Sequence, residues 1–245
     1  MSYDLTILEN GCKEMNISLD DTQKEQFIQF YEYLVEKNKV MNLTGITEFQ
    51  EVLVKHFLDS ISCVKAVDMT KVKKVMDIGT GAGFPGVPMK IAFPHIEACL
   101  LDSLKKRVNF LEETFELLKF DQNITAIHGR AEEFAKNKAY REQYDLCVSR
   151  AVSNLATLSE YCLPYVKKGG YFISYKSGKV QEEAEQAKKA IEILGGKVKE
   201  IVYFQLPDSE IERSLVVIEK VKNTPGKYPR KAGTPLKEPL GQLLK

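Results

Sequence analysis

The residues best suited to chemistry are Asp77-Ile78-Gly79-Thr80-Gly81-Ala82-Gly83-Phe84, which close a short apolar run and lead into a helical pattern. Glycines let backbone approach a ligand and take turns barred to other residues. A helix N-terminus behind such a turn offers unpaired N–H groups. A G-x-G-x-x-G turn uses those groups to hold a pyrophosphate. Here the glycines run G-x-G-x-G, with Asp77 two residues ahead of the first. That pattern suits S-adenosylmethionine, which carries an amino-acid end and a sulfonium but no phosphate. Asp77 is placed to hold the ligand's amino group, directly or through water. A turn chosen only for tight strand–helix packing is the competing account.

Other chemistry-bearing residues fall at the ends of later apolar runs. Cys99-Leu100-Leu101-Asp102 ends in a carboxylate 19 positions after Gly83. An acid there accepts hydrogen bonds from ribose hydroxyls in nucleotide-type folds; the alternative is a helix cap at Asp102 or Ser103. His128-Gly129-Arg130-Ala131-Glu132-Glu133 follows the next run. It reads either as an adenine-side loop with Ala131 against the ring, or as an acidic helix start. Arg150 and, more weakly, Lys176 end two further runs and are placed near a ligand or substrate, or else in surface ion pairs. His56 and Asp59 read as neighbours on a helix surface.

The elements that must position these residues alternate. Apolar runs at 72–78, 96–101, 124–127, 144–149 and 171–175 are separated by helical patterns such as Val108, Leu111, Phe115 and Leu118. This argues for an α/β fold with a mostly parallel sheet and helices on both faces. Two late strands, at 197–204 and 213–221, have no helix between them and predict an antiparallel finish. Residues 1–66 form an N-terminal helical extension. In it Thr22 and Glu25 suggest a capping box, Phe27, Phe30, Tyr31, Leu34 and Val35 form one stripe, Asn42-Leu43-Thr44-Gly45 is a loop, and a second helix spans about 48–62. Residues 67–222 make the ligand-binding domain, and 223–245 a basic, Pro-rich tail. The tail reads as an extended RNA-binding arm or a solvated, disordered end.

Composition sets bounds. A net charge of +1 implies neither nucleic acid nor membrane binding for the molecule as a whole. None of the five cysteines forms a C-x-x-C pair, and the three histidines lack zinc-ligand spacing, so free thiols and no metal are expected. Residues 1–10 lack a basic start and an apolar stretch, which predicts a cytoplasmic protein with no membrane partner.

The chain resembles the bacterial ribosomal RNA small-subunit methyltransferase G family, also called glucose-inhibited division protein B. The stretches that carry the resemblance are Asn42-Leu43-Thr44, His56-Phe57-Leu58-Asp59-Ser60, 77–86, Leu101-Asp102-Ser103 with Lys105-Lys106-Arg107, Gly129-Arg130-Ala131-Glu132, Ser149-Arg150-Ala151-Val152, and 228–235. The likeness runs from about residue 20 into the tail. It implies a Rossmann-like class I S-adenosylmethionine-dependent methyltransferase with a seven-stranded sheet, acting on N7 of a guanine in 16S (small-subunit) ribosomal RNA or its particle. The sequence is silent on oligomeric state, and a monomer is the expectation. The resemblance also implies cofactor contacts at Gly79, Phe84, Ala131, Glu132 and Arg150, to which the glycine turn adds Asp77, Gly81 and Gly83, and the strand end Asp102. Lys105, Lys106, Arg130, Arg150, Lys176, Arg230 and Lys231 are candidate RNA contacts.

N7 of neutral guanine has a free lone pair and no proton to lose, so positioning can supply the catalysis. No catalytic base is expected; Arg150 and Lys176 are the weak candidates for a catalytic role. The N-P-P-[YF] tetrad of amino-methylating enzymes is absent after the fourth strand, where Ser149-Arg150-Ala151-Val152 stands. Two rivals remain from the residues alone: a non-catalytic RNA-binding or assembly protein, and a nicotinamide-dependent oxidoreductase.

Overall fold

A computed structural model describes residues 3–120, 122–150, 153–178 and 180–241. Ala151 and Val152 of the fourth-strand motif, and Lys245 of the tail, lie outside the described residues. The chain opens with α1 (Thr6–Glu14) and α2 (Asp21–Met41). The capping box that starts α2 lies two residues earlier than Thr22 and Glu25 suggest. Asp20 Oδ1 accepts the Gln23 N–H at 2.8 Å, and Gln23 Oε1 accepts the Asp20 N–H at 2.9 Å. That register wins because Gln23 Nε2 also donates to the Ile91 carbonyl at 2.7 Å, a tertiary bond. Phe27, Phe30 and Leu34 are fully buried, while Tyr31 and Val35 flank them half-buried.

Asn42 takes the left-handed conformation (φ 51°) and ends α2. The predicted loop follows, and then a helical segment that changes pitch: α3 (Phe49–Val52), a π-helical turn (Leu53–Leu58) and α4 (Asp59–Ile61). π turns inside helices recur at functional sites.

Strands and helices then alternate as expected: β1 (Lys74–Ile78), α5 (Gly86–Ala92), β2 (Glu97–Asp102), α6 (Lys105–Leu117), β3 (Ile124–His128), α7 (Ala131–Phe134), β4 (Tyr144–Arg150), α8 (Leu155–Cys162), β5 (Val166–Ser177), α9 (Gln181–Ile193), β6 (Gly196–Gln205) and β7 (Glu212–Lys220). The seven strands form one sheet in the order β3-β2-β1-β4-β5-β7-β6. β7 is the reversed strand, antiparallel to both β5 and the edge strand β6. Strand order reverses between β1 and β4, the point at which open α/β sheets leave a crevice for ligands.

The period of two along each strand decides which helices a side chain meets. Val75, Leu100, Val148, Ile173 and Val217 share a core with the N-terminal helices, α5 and α6. Met76, Cys99, Cys147, Phe172 and Val216 share the other core with α8 and α9.

Over its described length the tail is not a free arm but is anchored on the domain, with exposed residues between its anchor points. It carries α10 (Thr234–Lys237), and Thr224, Tyr228, Pro229 and Pro235 are buried. Its irregular backbone needs partners for its polar groups, and the domain supplies them. Arg141 donates to the carbonyls of Thr224 at 2.8 Å and Tyr228 at 2.9 Å. Thr157 donates to the Pro235 carbonyl at 3.0 Å, and Glu132 accepts the Gly233 N–H at 2.8 Å. All five cysteines are buried and free, and no described helix is long and apolar enough to cross a membrane.

Candidate functional site

The glycine turn lies at the carboxyl end of β1, over the crevice. Asp77 sits beneath it, fully buried. Its Oδ2 accepts the Thr80 hydroxyl at 2.7 Å and the Gly86 N–H at 2.8 Å, so the carboxyl group ties the turn to the start of α5. Its Oδ1 is buried with no hydrogen-bond partner among the described residues. Burial pushes the Asp77 carboxyl up to about 7. Gly83 needs its missing side chain twice over: its φ is +91°, and a Cβ would stand 2.6 Å from Val87 Cγ2. Gly81, with φ +62°, would point a Cβ into open space.

That space is a cavity of about 430 Å³ bordered by Gly79, Gly81, Phe84 and Arg150 together with Thr44, His56, Asp59, Tyr175 and Arg213. The N-terminal extension builds one wall. Asn38 Oδ1 accepts the N–H groups of Leu43 and Thr44 at 2.6 and 2.9 Å and so shapes the loop. His56 stacks on Phe84 with ring centroids 4.4 Å apart, and the Arg150 guanidinium lies 5.0 Å from the Phe84 ring centre. His56 Nδ1 faces that guanidinium at 3.5 Å, which makes Nδ1 the acceptor and leaves Nε2–H to donate to Thr44 Oγ1 at 2.7 Å. Burial, with the Arg150 charge second, pushes the His56 imidazole down to about 3, so it is neutral.

Asp59 is the centre of the wall. Its side chain is 5% exposed; Oδ2 accepts Arg150 Nη1 at 2.8 Å and Oδ1 accepts Arg213 Nε at 3.2 Å. Two guanidiniums, from β4 and β7, are held over one cavity by one carboxylate. His56 and Asp59 are thus not surface neighbours. The segment His56-Phe57-Leu58-Asp59-Ser60 marked them only through the resemblance. Arg213, at the start of a late strand, carried no signal in the sequence.

The other expected residues are distributed by strand geometry. Asp102 is buried; Oδ2 accepts the Gly81 N–H at 2.9 Å and Oδ1 the Leu104 N–H at 2.9 Å, with Arg107 at 3.4 Å. It therefore ties the glycine turn to the segment just before α6, whose N-cap position is Leu104 and carries no side-chain cap. Ala131 and Glu132 lie outside the cavity, against α8 and the tail. Lys176 borders the cavity, yet its ammonium is turned away: Nζ donates to the Ser153 carbonyl at 3.0 Å and pairs with Glu183 at 2.7 Å. Arg150 and Lys176 end neighbouring strands but point to opposite faces, since Arg150 is opposite Tyr175 in register.

Among the expected RNA contacts, Arg230 is engaged within the fold. Its guanidinium pairs with the fully buried Glu160 at 2.8 Å and donates to the Glu238 carbonyl at 2.6 Å, so it anchors the tail. Lys105, Arg130 and Lys231 remain exposed on the surface, and Lys106 reaches the Met41 carbonyl at 3.5 Å.

A model of the GidB family, rRNA small subunit methyltransferase G, matches residues 23–216. The chain belongs to this family. It is 54% identical over 230 residues to the ribosomal RNA small subunit methyltransferase G of Lachnoclostridium phytofermentans, covering 94% of this chain and 95% of that protein. It is 52% identical to the protein of the same name from Desulforamulus reducens, covering 97% and 99%. Similar solved structures include TYW2 of P. horikoshii in complex with MeSAdo, at 14% identity, TM-score 0.51, and 66% and 61% coverage. The S-adenosylmethionine-dependent methyltransferase SibL, in its apo form, matches at 13% identity, TM-score 0.51, and 67% and 55% coverage. At such identities these structures speak for the fold alone, and that fold is the seven-stranded methyltransferase fold. The family match covers the glycine turn, Asp59, Arg150 and Arg213, but ends before the tail.

Proposed function

We propose that this chain transfers a methyl group from S-adenosylmethionine to N7 of a guanine in small-subunit ribosomal RNA. Family membership over nearly the whole length is the observation that carries the reading, because the relatives are named for methylating that RNA. The non-catalytic rival and a nicotinamide reaction both lack the support that the relatives' names give to methyl transfer.

The residues fit the cofactor. Gly81 opens onto a cavity of about 430 Å³, within the range of small-molecule sites. Gly79 and Phe84 border it with backbone and an aromatic face. Asp77 Oδ1, buried and without a partner, is an acceptor for the cofactor's ammonium group. The Arg150 guanidinium suits its carboxylate. Asp102 serves the ribose from the turn it already organises, once Arg107 gives way. Ala131 and Glu132 belong to the adenine side, where Asp102 and His128 stand paired across β2 and β3.

When bound, S-adenosylmethionine supplies an electrophilic methyl group on a sulfonium, which N7 takes while sulfur keeps the bonding electrons and no proton leaves. The chain's own residues then have three tasks. Phe84, stacked on neutral His56, holds a flat apolar wall and keeps water from the reacting centre. Asp59 sets two arginines in place and offsets one of their charges, which matters because positive charge grows on the guanine ring. Arg213, the outer of the two, faces the side from which substrate arrives. Lys105, Lys106, Arg130 and Lys231 are surface cations available to phosphates. A cytoplasmic monomer is the reading of its state, in keeping with five reduced, buried thiols and scattered exposed apolar residues.

Labelled S-adenosylmethionine, incubated with small-subunit particles or RNA lacking the modification, should leave label on one guanine N7. Measurable cofactor binding with no label on either substrate would refute the RNA assignment.

A further inference from the structure

Beside the candidate site lies a second cavity, of about 550 Å³, at the same carboxyl end of the sheet. Arg213 borders both cavities. The ridge between them is low: Ser177 lines the first and Gly178 the second, and a Cβ on Gly178 would meet nothing within 4 Å. On the outer side stands Tyr203, which leaves 51% of its surface exposed. It lies on the edge strand, paired in register with Ser214, while its neighbour Phe204 is paired with Arg213. Tyr203 and Arg213 thus sit on adjacent positions but opposite faces of the sheet, one at each end of a path over its edge.

Tyrosine is an ordinary residue for a strand, so what singles out Tyr203 is its place at this cavity beside Arg213. Val40, Leu104, Leu117 and Leu236, the other large exposed apolar residues among the described residues, do not border this cavity. Gln181 and Gln205 border the same cavity. Each amide offers donors and an acceptor, which can match the edge of a base. Glu212 makes the outer lip acidic, so a sugar–phosphate chain would cross on the side of Arg213. Single-stranded RNA is recognised by splaying bases onto aromatic faces while cations hold the phosphates between them.

We infer that Tyr203 is the stacking platform for the nucleotide next to the target base, with Arg213 holding the phosphate that joins the two. The target enters the inner cavity, its neighbour the outer one, and the backbone crosses the Ser177–Gly178 ridge. The inference rests on the RNA-methylating reading and adds a positioning residue to it.

The chain contains no tryptophan, so Tyr203→Trp supplies a single reporter that can still stack. Its fluorescence should be quenched when deproteinised small-subunit RNA lacking the modification is added, with binding followed separately by anisotropy of labelled RNA. Tyr203→Ala should raise KM for that RNA by roughly tenfold to a hundredfold. Its affinity for S-adenosylmethionine and its melting temperature should not move, and Tyr203→Phe should behave as the unaltered chain. An unchanged KM in Tyr203→Ala, or no quenching at saturating RNA, overturns the inference. An effect seen with particles but absent with free RNA also overturns it, and points to a ribosomal protein as the occupant. Failure of the unaltered chain to methylate either substrate strikes instead at the functional reading beneath it.

Discussion

Replacing Asp59 with asparagine keeps the shape of the side chain and removes the one negative charge shared by Arg150 and Arg213. The three side chains are 5%, 14% and 21% exposed, so water compensates little. Removing one partner from a buried ion pair costs about 3–5 kcal/mol. Arg150 keeps weak contacts to the Lys55 and His56 carbonyls at 3.4 and 3.5 Å, and Arg213 keeps the Glu212 carbonyl at 3.0 Å. Those contacts and the partial exposure of Arg213 favour the lower end, about 3 kcal/mol, or roughly 6–12 °C in Tm for a chain of this size. Urea unfolding followed by far-UV circular dichroism measures it. A double-mutant cycle of Asp59→Asn with Arg213→Met isolates the pair, since coupled neighbours depart from additivity by about 0.5–3 kcal/mol. A loss below about 1 kcal/mol together with additive behaviour would refute the shared-carboxylate account. Weakened cofactor binding should accompany the loss, because Arg150 is then free to leave Phe84.

Gly83→Ala forces a side chain into a left-handed position and against Val87 and Leu111, at 2.6 and 3.0 Å. It should lose about 1–3 kcal/mol and most of its cofactor affinity by calorimetry, whereas Gly81→Ala meets no neighbour and should be milder in stability. Glu160→Gln uncouples Arg230 from a fully buried carboxylate, so limited proteolysis should open the chain within 223–241 while the sheet stays intact. Acid titration of stability should separate two buried groups of opposite sign. Burial lowers His56 from 6.5 to about 3, so its contribution is full above 6.5 and is lost as pH falls. Burial raises Asp77 from 3.8 to about 7, so its contribution is full below 3.8 and is lost as pH rises. Relative to the unaltered chain, His56→Gln should therefore gain stability as pH falls from 6.5. Asp77→Asn should gain it as pH rises from 4 to 7, each by up to about 1.4 kcal/mol per pH unit. Parallel pH profiles for all three proteins would count against both assignments.

Much of the fold was readable because its signals are local. Strand–helix alternation, the glycine turn and the acid at the end of β2 each lie within a few residues, and the seven strands form where the apolar runs stand. The start of α2 was misread by two residues because Asp20–Gln23 and Thr22–Glu25 both make plausible boxes, and the carbonyl of Ile91 chose between them. The tail was misread for a related reason. Its prolines and cations describe an arm that could be solvated, and nothing near it in sequence announces Glu160, Glu132 and Arg141 as its partners.

By itself, then, the sequence determined the sheet, the turn and the ligand class, because periodicity and backbone conformation depend on neighbours along the chain. Only the tertiary structure decided which charges are free. Asp59 meets Arg150 across 91 positions and Arg213 across 154, brought together by a π-helical turn and by the reversal of one strand. Lys176 and Arg230, cations of the same kind in composition, are held by Glu183 and Glu160 instead. A charge's role is set by what lies within a few ångströms of it, and that distance is not written in the order of residues.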